Sequence, residues 1–209
     1  RMVTLLFELS GEHPSLPRAE LECVGAVTEW NTQVAVAECS SVEEVGRLSL
    51  SHKVMTYLGS CDATLPAIGD LMASLEITAR GTFSARVKKV QGATLPVPKE
   101  LLEKFIGSRI KGSVNLSHPD EEYRLNIAGS KCYFGRVLAS IARGSYEYRN
   151  PLRRPFFHPG VMLPRMARAM VNLSLIRKGG LLIDPFCGTG GILQEALMVG
   201  AQIAGTDAN

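Results

Sequence analysis

The residues best suited to chemistry stand near the C-terminal end of the 209-residue chain. Leu181-Leu182-Ile183-Asp184 reads as a short buried strand, Pro185 to Gly191 as a glycine-rich turn, and Ile192-Leu193-Gln194-Glu195-Ala196-Leu197 as a helix. Strand, glycine loop and helix start in that order make a nucleotide-binding turn, because glycine lets the backbone approach a ligand that a Cβ would repel. The spacing separates the candidate ligands. A dinucleotide fingerprint G-x-G-x-x-G counted from Gly188 needs a final glycine where Leu193 stands, and no G-x-x-x-x-G-K-[ST] phosphate loop occurs. What is present is D-x-F-x-G-x-G, with a carboxylate where a pyrophosphate would be repelled. Asp184 there suits the ammonium end of S-adenosylmethionine.

A second strand, Gln202-Ile203-Ala204-Gly205-Thr206, leads to Asp207, 23 positions after Asp184. An acid at the end of the second strand can accept both ribose hydroxyls of an adenosine-containing ligand. The candidate cofactor-binding residues are Asp184, Phe186, Gly188, Thr189, Gly190 and Asp207. The bland alternative is an ordinary βαβ turn with surface aspartates. No metal is expected: Cys23, Cys39, Cys61, Cys132 and Cys187 form no C-x-x-C pair, and the four histidines are scattered.

Charge points to a second function. Residues 1–79 hold 4 Lys/Arg against 11 Asp/Glu, residues 80–154 hold 15 against 6, and residues 155–209 hold 4 against 3. The middle third is therefore strongly basic although the whole chain carries only +3. A basic stretch of this kind suits phosphate contacts, with Arg86, Lys88, Lys89, Lys111, Arg136, Arg143, Arg153 and Arg154 as the RNA-binding candidates and Arg124 and Arg149 in the same segment. No apolar run reaches the roughly 18 residues that a membrane span needs, so a soluble cytoplasmic protein is expected.

The elements that must position these groups follow from periodicity. Val3 to Phe7, Val34 to Ala37 and Val54 to Leu58 read as strands, with helices over Leu16 to Gly25 and Val42 to Leu50, an order that suits a ferredoxin-like sandwich. A helix over Leu65 to Leu75 and a strand over Thr82 to Val90 come next, followed by a helix opened by Pro98 with Leu101, Leu102, Phe105 and Ile106 on one side. Val114 to Leu116 reads as a short strand, and Gly129-Ser130 as a two-residue hairpin turn between Tyr123 to Ala128 and Lys131 to Leu138. Arg149 to Pro155 is punctuated by proline like a linker. Met162, Met166, Met170, Leu173 and Ile176 then recur at helical spacing, as on a packed core face.

Asp184-Pro185-Phe186-Cys187-Gly188-Thr189-Gly190-Gly191-Ile192-Leu193 resembles the first motif of the THUMP-type tRNA guanosine N2-methyltransferases of archaea and eukaryotes, and Arg154-Pro155-Phe156-Phe157-His158-Pro159-Gly160 resembles the segment before it. Phe83-Ser84-Ala85-Arg86-Val87 and Val114-Asn115-Leu116 resemble parts of a THUMP domain. The resemblance implies an α/β and α+β chain: an N-terminal ferredoxin-like domain over 1–62, a THUMP RNA-binding domain over 63–145, a linker over 146–159, and the beginning of a Rossmann-like class I methyltransferase domain over 160–209. It further implies S-adenosylmethionine as cofactor, tRNA as partner and guanosine 10 as target.

Members of that family make the exocyclic amine of guanine nucleophilic with a D-P-P-Y-type motif. No Pro-Pro pair occurs in these residues, so no catalytic residue is assigned and an incomplete donor site in an inactive form is expected. A completing chain, a dimer or a small activator subunit are the partners this would call for. The other readings are a non-catalytic tRNA-binding THUMP module, as found also beside thiouridine synthases, and a nicotinamide-dependent oxidoreductase, which the glycine spacing disfavours.

Overall fold

Val3–Leu9 forms β1, a strand buried on both faces, which is why it reads as an almost unbroken apolar run rather than an alternating one. Leu5, Phe7 and Leu9 enter one core and Leu6 another. The computed structural model describes residues 2–141, 143–153 and 161–208. The expected Arg154 contact and the motif from Arg154 to Gly160 lie outside the described residues, as does the side chain of Arg143.

After β1 come α1 (Leu16–Glu20), β2 (Gly25–Asn31), β3 (Val34–Cys39) and β4 (Ser51–Asp62). Then follow α2 (Leu65–Leu75), β5 (Thr78–Lys89), α3 (Lys99–Gly107), β6 (Lys111–Val114), β7 (Glu121–Ala128) and β8 (Lys131–Ser140). Their strands make one eight-stranded sheet in the order β2-β3-β1-β4-β8-β7-β5-β6. Twelve-residue β4 joins its halves, pairing with β1 from Ser51 to Thr56 and with β8 from Lys53 to Asp62. The division expected at residue 62 thus falls at the tip of a strand that serves both sides.

The sheet curls. Asn31 of β2 donates to the Ala128 carbonyl of β7 at 2.8 Å, and the Tyr133 hydroxyl of β8 donates to Glu29 of β2 at 2.9 Å, although β8 and β7 stand four and five places from β2 in the strand order. Inside the curl, Arg124 pairs with Glu8 at 2.7 Å. One outer face carries α2 and α3, whose Ile68, Met72, Leu102 and Ile106 pack on Phe83, Val87, Leu125 and Phe134; each such side chain contributes about 1.5–3 kcal/mol on burial. Thr64 starts α2 by accepting from the Ala67 amide, and the β7–β8 hairpin closes at Gly129-Ser130 as expected.

Two expected helices are shorter than their apolar spacing suggests. The run from Leu16 gives five α-helical residues and a 3₁₀ turn, Leu21–Cys23, before β2 starts at Gly25. The run from Val42 gives only a 3₁₀ turn, Glu43–Arg47. In the second run, the buried carboxylate of Glu20 accepts the amides of Ser49 at 2.9 Å and Leu50 at 2.8 Å, groups that a longer helix would have spent on its own carbonyls.

The C-terminal part holds α4 (Pro164–Leu173), β9 (Leu181–Asp184), α5 (Gly191–Met198) and β10 (Gln202–Gly205), with β9 and β10 paired in parallel. The methionine stripe expected to be the core face of α4 is displaced outward. Met162 and Met170 are exposed, while Ala167, Arg168, Val171 and Asn172 face inward. The reason is polar. Asn172 donates to Glu20 at 2.7 Å and accepts from Arg47 at 2.8 Å, docking α4 on the first unit, and Arg168 reaches Glu195 at 2.7 Å. The expected linker is likewise packed where it is described: Tyr146, Arg149 and Pro151 are buried.

Candidate cofactor turn and basic surface

β9 and α5 are joined by residues 185–190, and hydrogen bonds to the end of β10 fix the path of this loop. Thr206 N donates to Asp184 O at 3.1 Å and Cys187 N to Thr206 O at 3.0 Å, continuing the parallel ladder past the strand ends. The Asp184 carboxylate accepts the Phe186 amide at 3.1 Å, an Asx turn that starts the bend. Asp207 accepts the Gly188 amide at 2.7 Å. The two acids singled out by spacing therefore meet the same loop, one from each strand.

Gly188 has φ +50° and Gly190 φ +76°, conformations that side chains with a Cβ rarely adopt. A Cβ built on either would meet nothing within 4 Å, so the space above the loop is open to a ligand. Gly205 differs: a Cβ there would lie 2.4 Å from Leu193, so this glycine serves close packing of β10 on α5. Thr189 is exposed between the two open glycines, and Phe186 is 84% exposed. Gly190 also caps the N-terminus of α5, whose free amides and positive dipole end favour an electron-rich group.

Three charged side chains that spacing did not single out together anchor this turn. Glu195 is fully buried in α5 and accepts from Arg149 at 2.7 Å and Arg168 at 2.7 Å, with both guanidinium groups less than a tenth exposed. Arg149 also lies 4.8 Å from the Tyr146 ring, and burial pushes the Tyr146 hydroxyl above its ordinary pKa. Arg149 is thus no phosphate contact, contrary to its place in the basic segment. The available signal was Glu195 itself, a charge three positions from Ile192 and next to buried Ala196, on the apolar side of its helix.

The basic candidates divide by environment. Lys88, Lys111 and Arg153 are exposed. Arg86 donates to the Leu116 carbonyl at 2.9 Å and lies 4.0 Å from Glu103, and Arg136 pairs with Glu121 at 2.7 Å. Lys89 is half-buried and spends its ammonium on the carbonyls of Leu95 at 2.7 Å and Val97 at 2.6 Å, closing the loop before α3. Among the described residues no group of three His, Cys, Asp or Glu converges as a metal site, and no helix is long and apolar enough to cross a membrane. Burial holds the thiols of Cys23 and Cys39 high, at about 12 and about 11.

A parallel βαβ turn with an open glycine cradle and an acid on each strand end is an arrangement that can admit an adenosine-containing ligand. In comparison with known proteins, residues 151–208 match the family described as RMKL-like, methyltransferase domain. The chain is 34% identical to the tRNA (guanine(10)-N2)-dimethyltransferase of Methanothermobacter thermautotrophicus, over 95% of this chain and 62% of that protein. It is 30% identical to the protein of the same name from Methanocaldococcus jannaschii, over 96% of this chain and 66% of the relative. The chain therefore spans somewhat less than two thirds of the length of these relatives. The crystal structure of TrmN from Thermus thermophilus superposes with a TM-score of 0.60 at 20% identity, covering 99% of this chain and 66% of that one, which shows a shared fold.

Proposed function

We propose that this chain is the RNA-gripping and donor-binding part of an S-adenosylmethionine-dependent tRNA guanosine N2-methyltransferase acting at position 10. The observation that carries this reading is the open cradle of Gly188 and Gly190 between two acid-ended parallel strands, in a chain similar along almost its whole length to enzymes of that name.

The cradle fits the cofactor chemically. Adenosylmethionine supplies an electrophilic methyl group on a sulfonium. The residues present would hold it from both ends: Asp184 takes the ammonium, Asp207 the ribose hydroxyls, and Gly188, Thr189 and Gly190 admit it to the backbone, with Phe186 offering an apolar surface. The Asp207 bond to Gly188 makes that acid a loop clamp as well as a ribose acceptor. No residue of this chain is assigned to activate the target amine. Leu181 and Ile183 stand exposed on the two-stranded sheet, an apolar surface that further strands of a methyltransferase domain would cover.

In the same reading, residues 1–62 form a ferredoxin-like unit and 63–145 a THUMP unit, and tRNA phosphates meet Lys88, Lys111 and Arg153 with Arg86 and Arg136 behind them. Calorimetry tests the donor half: adenosylmethionine should bind and NAD should not. A filter-binding titration with tRNA tests the other half, with affinity falling steeply as salt rises.

A further inference from the structure

A cleft of about 420 Å³ opens between the β1–α1 loop, the β2–β3 turn and the start of the loop after β5, with His13, Arg18, Trp30, Gln33 and Gln91 around it. It lies outside both the cofactor turn and the basic segment's exposed cations. Trp30 is the chain's single tryptophan, and it is 44% exposed on edge strand β2. Its indole N–H is already spent on the Thr32 carbonyl at 3.1 Å, which fixes the ring in place. The Arg18 guanidinium lies over the Trp30 ring, 5.2 Å from its centroid, and both residues line the cleft.

The polar groups of the cleft are held in definite roles. His13 Nδ1 accepts the amides of Ser15 at 3.2 Å and Leu16 at 3.1 Å, so in the neutral ring the proton sits on Nε2 as a donor. Gln33 lies against Gly11 so closely that a Cβ at residue 11 would stand 2.3 Å from its amide nitrogen; glycine there leaves the carboxamide its position. Gln91 brings a second carboxamide, each able to donate and accept. Glu12, in the same loop, pairs with Arg165 of α4, and exposed Lys88 precedes Gln91 by three residues.

We propose that this cleft holds one unstacked nucleobase of single-stranded RNA, with the base stacked on the Trp30–Arg18 pair and its edge read by Gln33, Gln91 and His13. Single-stranded RNA is recognised in this manner, by aromatic and guanidinium planes for the ring and by amide groups for the edge. The proposal rests on the RNA-binding half of the function above and adds a site in the acidic first unit, where net charge alone would place none. Loss of one stacked base weakens single-strand binding about ten- to a hundredfold.

Trp30 is its own reporter, because no other tryptophan contributes to the emission. Titration of the protein with hexameric single-stranded oligoribonucleotides should quench Trp30 saturably, with at least one base preferred. Arg18→Ala and Gln33→Ala should weaken the dissociation constant and flatten the preference. Trp30→Phe, which keeps a ring in place should Trp30→Ala not fold, should weaken binding of a labelled hexamer read by anisotropy. RNA binding seen by anisotropy with unchanged Trp30 emission and an unchanged constant in Trp30→Ala would overturn the cleft and leave the RNA-binding reading intact. Quenching by duplex RNA as strong as by single strands would also overturn it. Failure of tRNA and of every hexamer to bind would remove the reading on which the proposal rests.

Discussion

Replacing Glu195 by alanine should loosen the methyltransferase segment while leaving the eight-stranded sheet in place. Glu195 is 0% exposed and holds two guanidinium groups, Arg149 and Arg168, whose side chains are 6% and 7% exposed. Removing the acid leaves two buried cations without their counter-charge, and breaking a buried pair in this way costs about 3–5 kcal/mol. Against a typical total of about 5–15 kcal/mol, that is about a fifth of the stability or more. The cost falls at one place, where the 3₁₀ turn Arg143–Arg149, α4 and α5 meet. Hydrogen exchange should therefore show protection of α4 and α5 falling by about two to four decades, with β1, β4 and β8 unchanged. Glu195→Gln keeps an acceptor and should cost less, about 1–3 kcal/mol. Replacing all three charges with apolar residues of similar size should restore much of the loss, because the pairing mainly offsets its own desolvation. A change below about 1 kcal/mol in urea melts of Glu195→Ala, with protection of α5 intact, would refute this account of the anchor.

Other perturbations separate the roles assigned to neighbouring residues. Gly190→Val places a β-branched residue at φ +76° and fills the open cradle, so adenosylmethionine binding by calorimetry should be lost; Asp207→Ala should lower it while leaving the melting temperature closer to the parent. Lys88→Glu should weaken tRNA binding and reduce its salt slope, whereas Lys89→Glu should act first on stability, because Lys89 holds the carbonyls of Leu95 and Val97. Burial raises the pKa of Glu121, but hydrogen bonds from Arg136, the Arg80 amide and Tyr123, with the charge of Arg136, outweigh it and leave it lowered. Its stabilising share is then complete above the unfolded value of about 4.3 and lost as pH falls through the lower folded value, so Glu121→Gln should flatten acid melts in that window.

The parts legible in the sequence are those whose residues signal through local spacing. Leu65 to Leu75 appears as α2 with the same bounds, the Gly129-Ser130 hairpin closes in register, and the D-x-F-x-G-x-G turn lies between a parallel strand and a helix. Illegible features depend on partners far along the chain. β2 is an edge strand whose half-buried residues alternate with exposed ones, so it carries no strong apolar run to mark it. Glu20 accepts amides 29 and 30 residues away, at the end of the second apparent helix. The inward face of α4 is Arg168 and Asn172 rather than the methionines, since periodicity reports apolar stripes and is blind to buried charges that find partners. The basic segment misled in the same way: charge counts do not distinguish Lys88, which is solvated, from Arg149, which is buried against Glu195.

The central claim is tested most directly by incubating the full-length protein that carries this sequence with labelled adenosylmethionine and a tRNA transcript, then digesting the RNA to nucleosides and mapping the modified position by mass spectrometry. Label is expected in N2-methylguanosine or N2,N2-dimethylguanosine at position 10, abolished by Gly190→Val. Label on another base or at another guanine atom, or tight binding of tRNA and adenosylmethionine with no transfer at all, would contradict the claim.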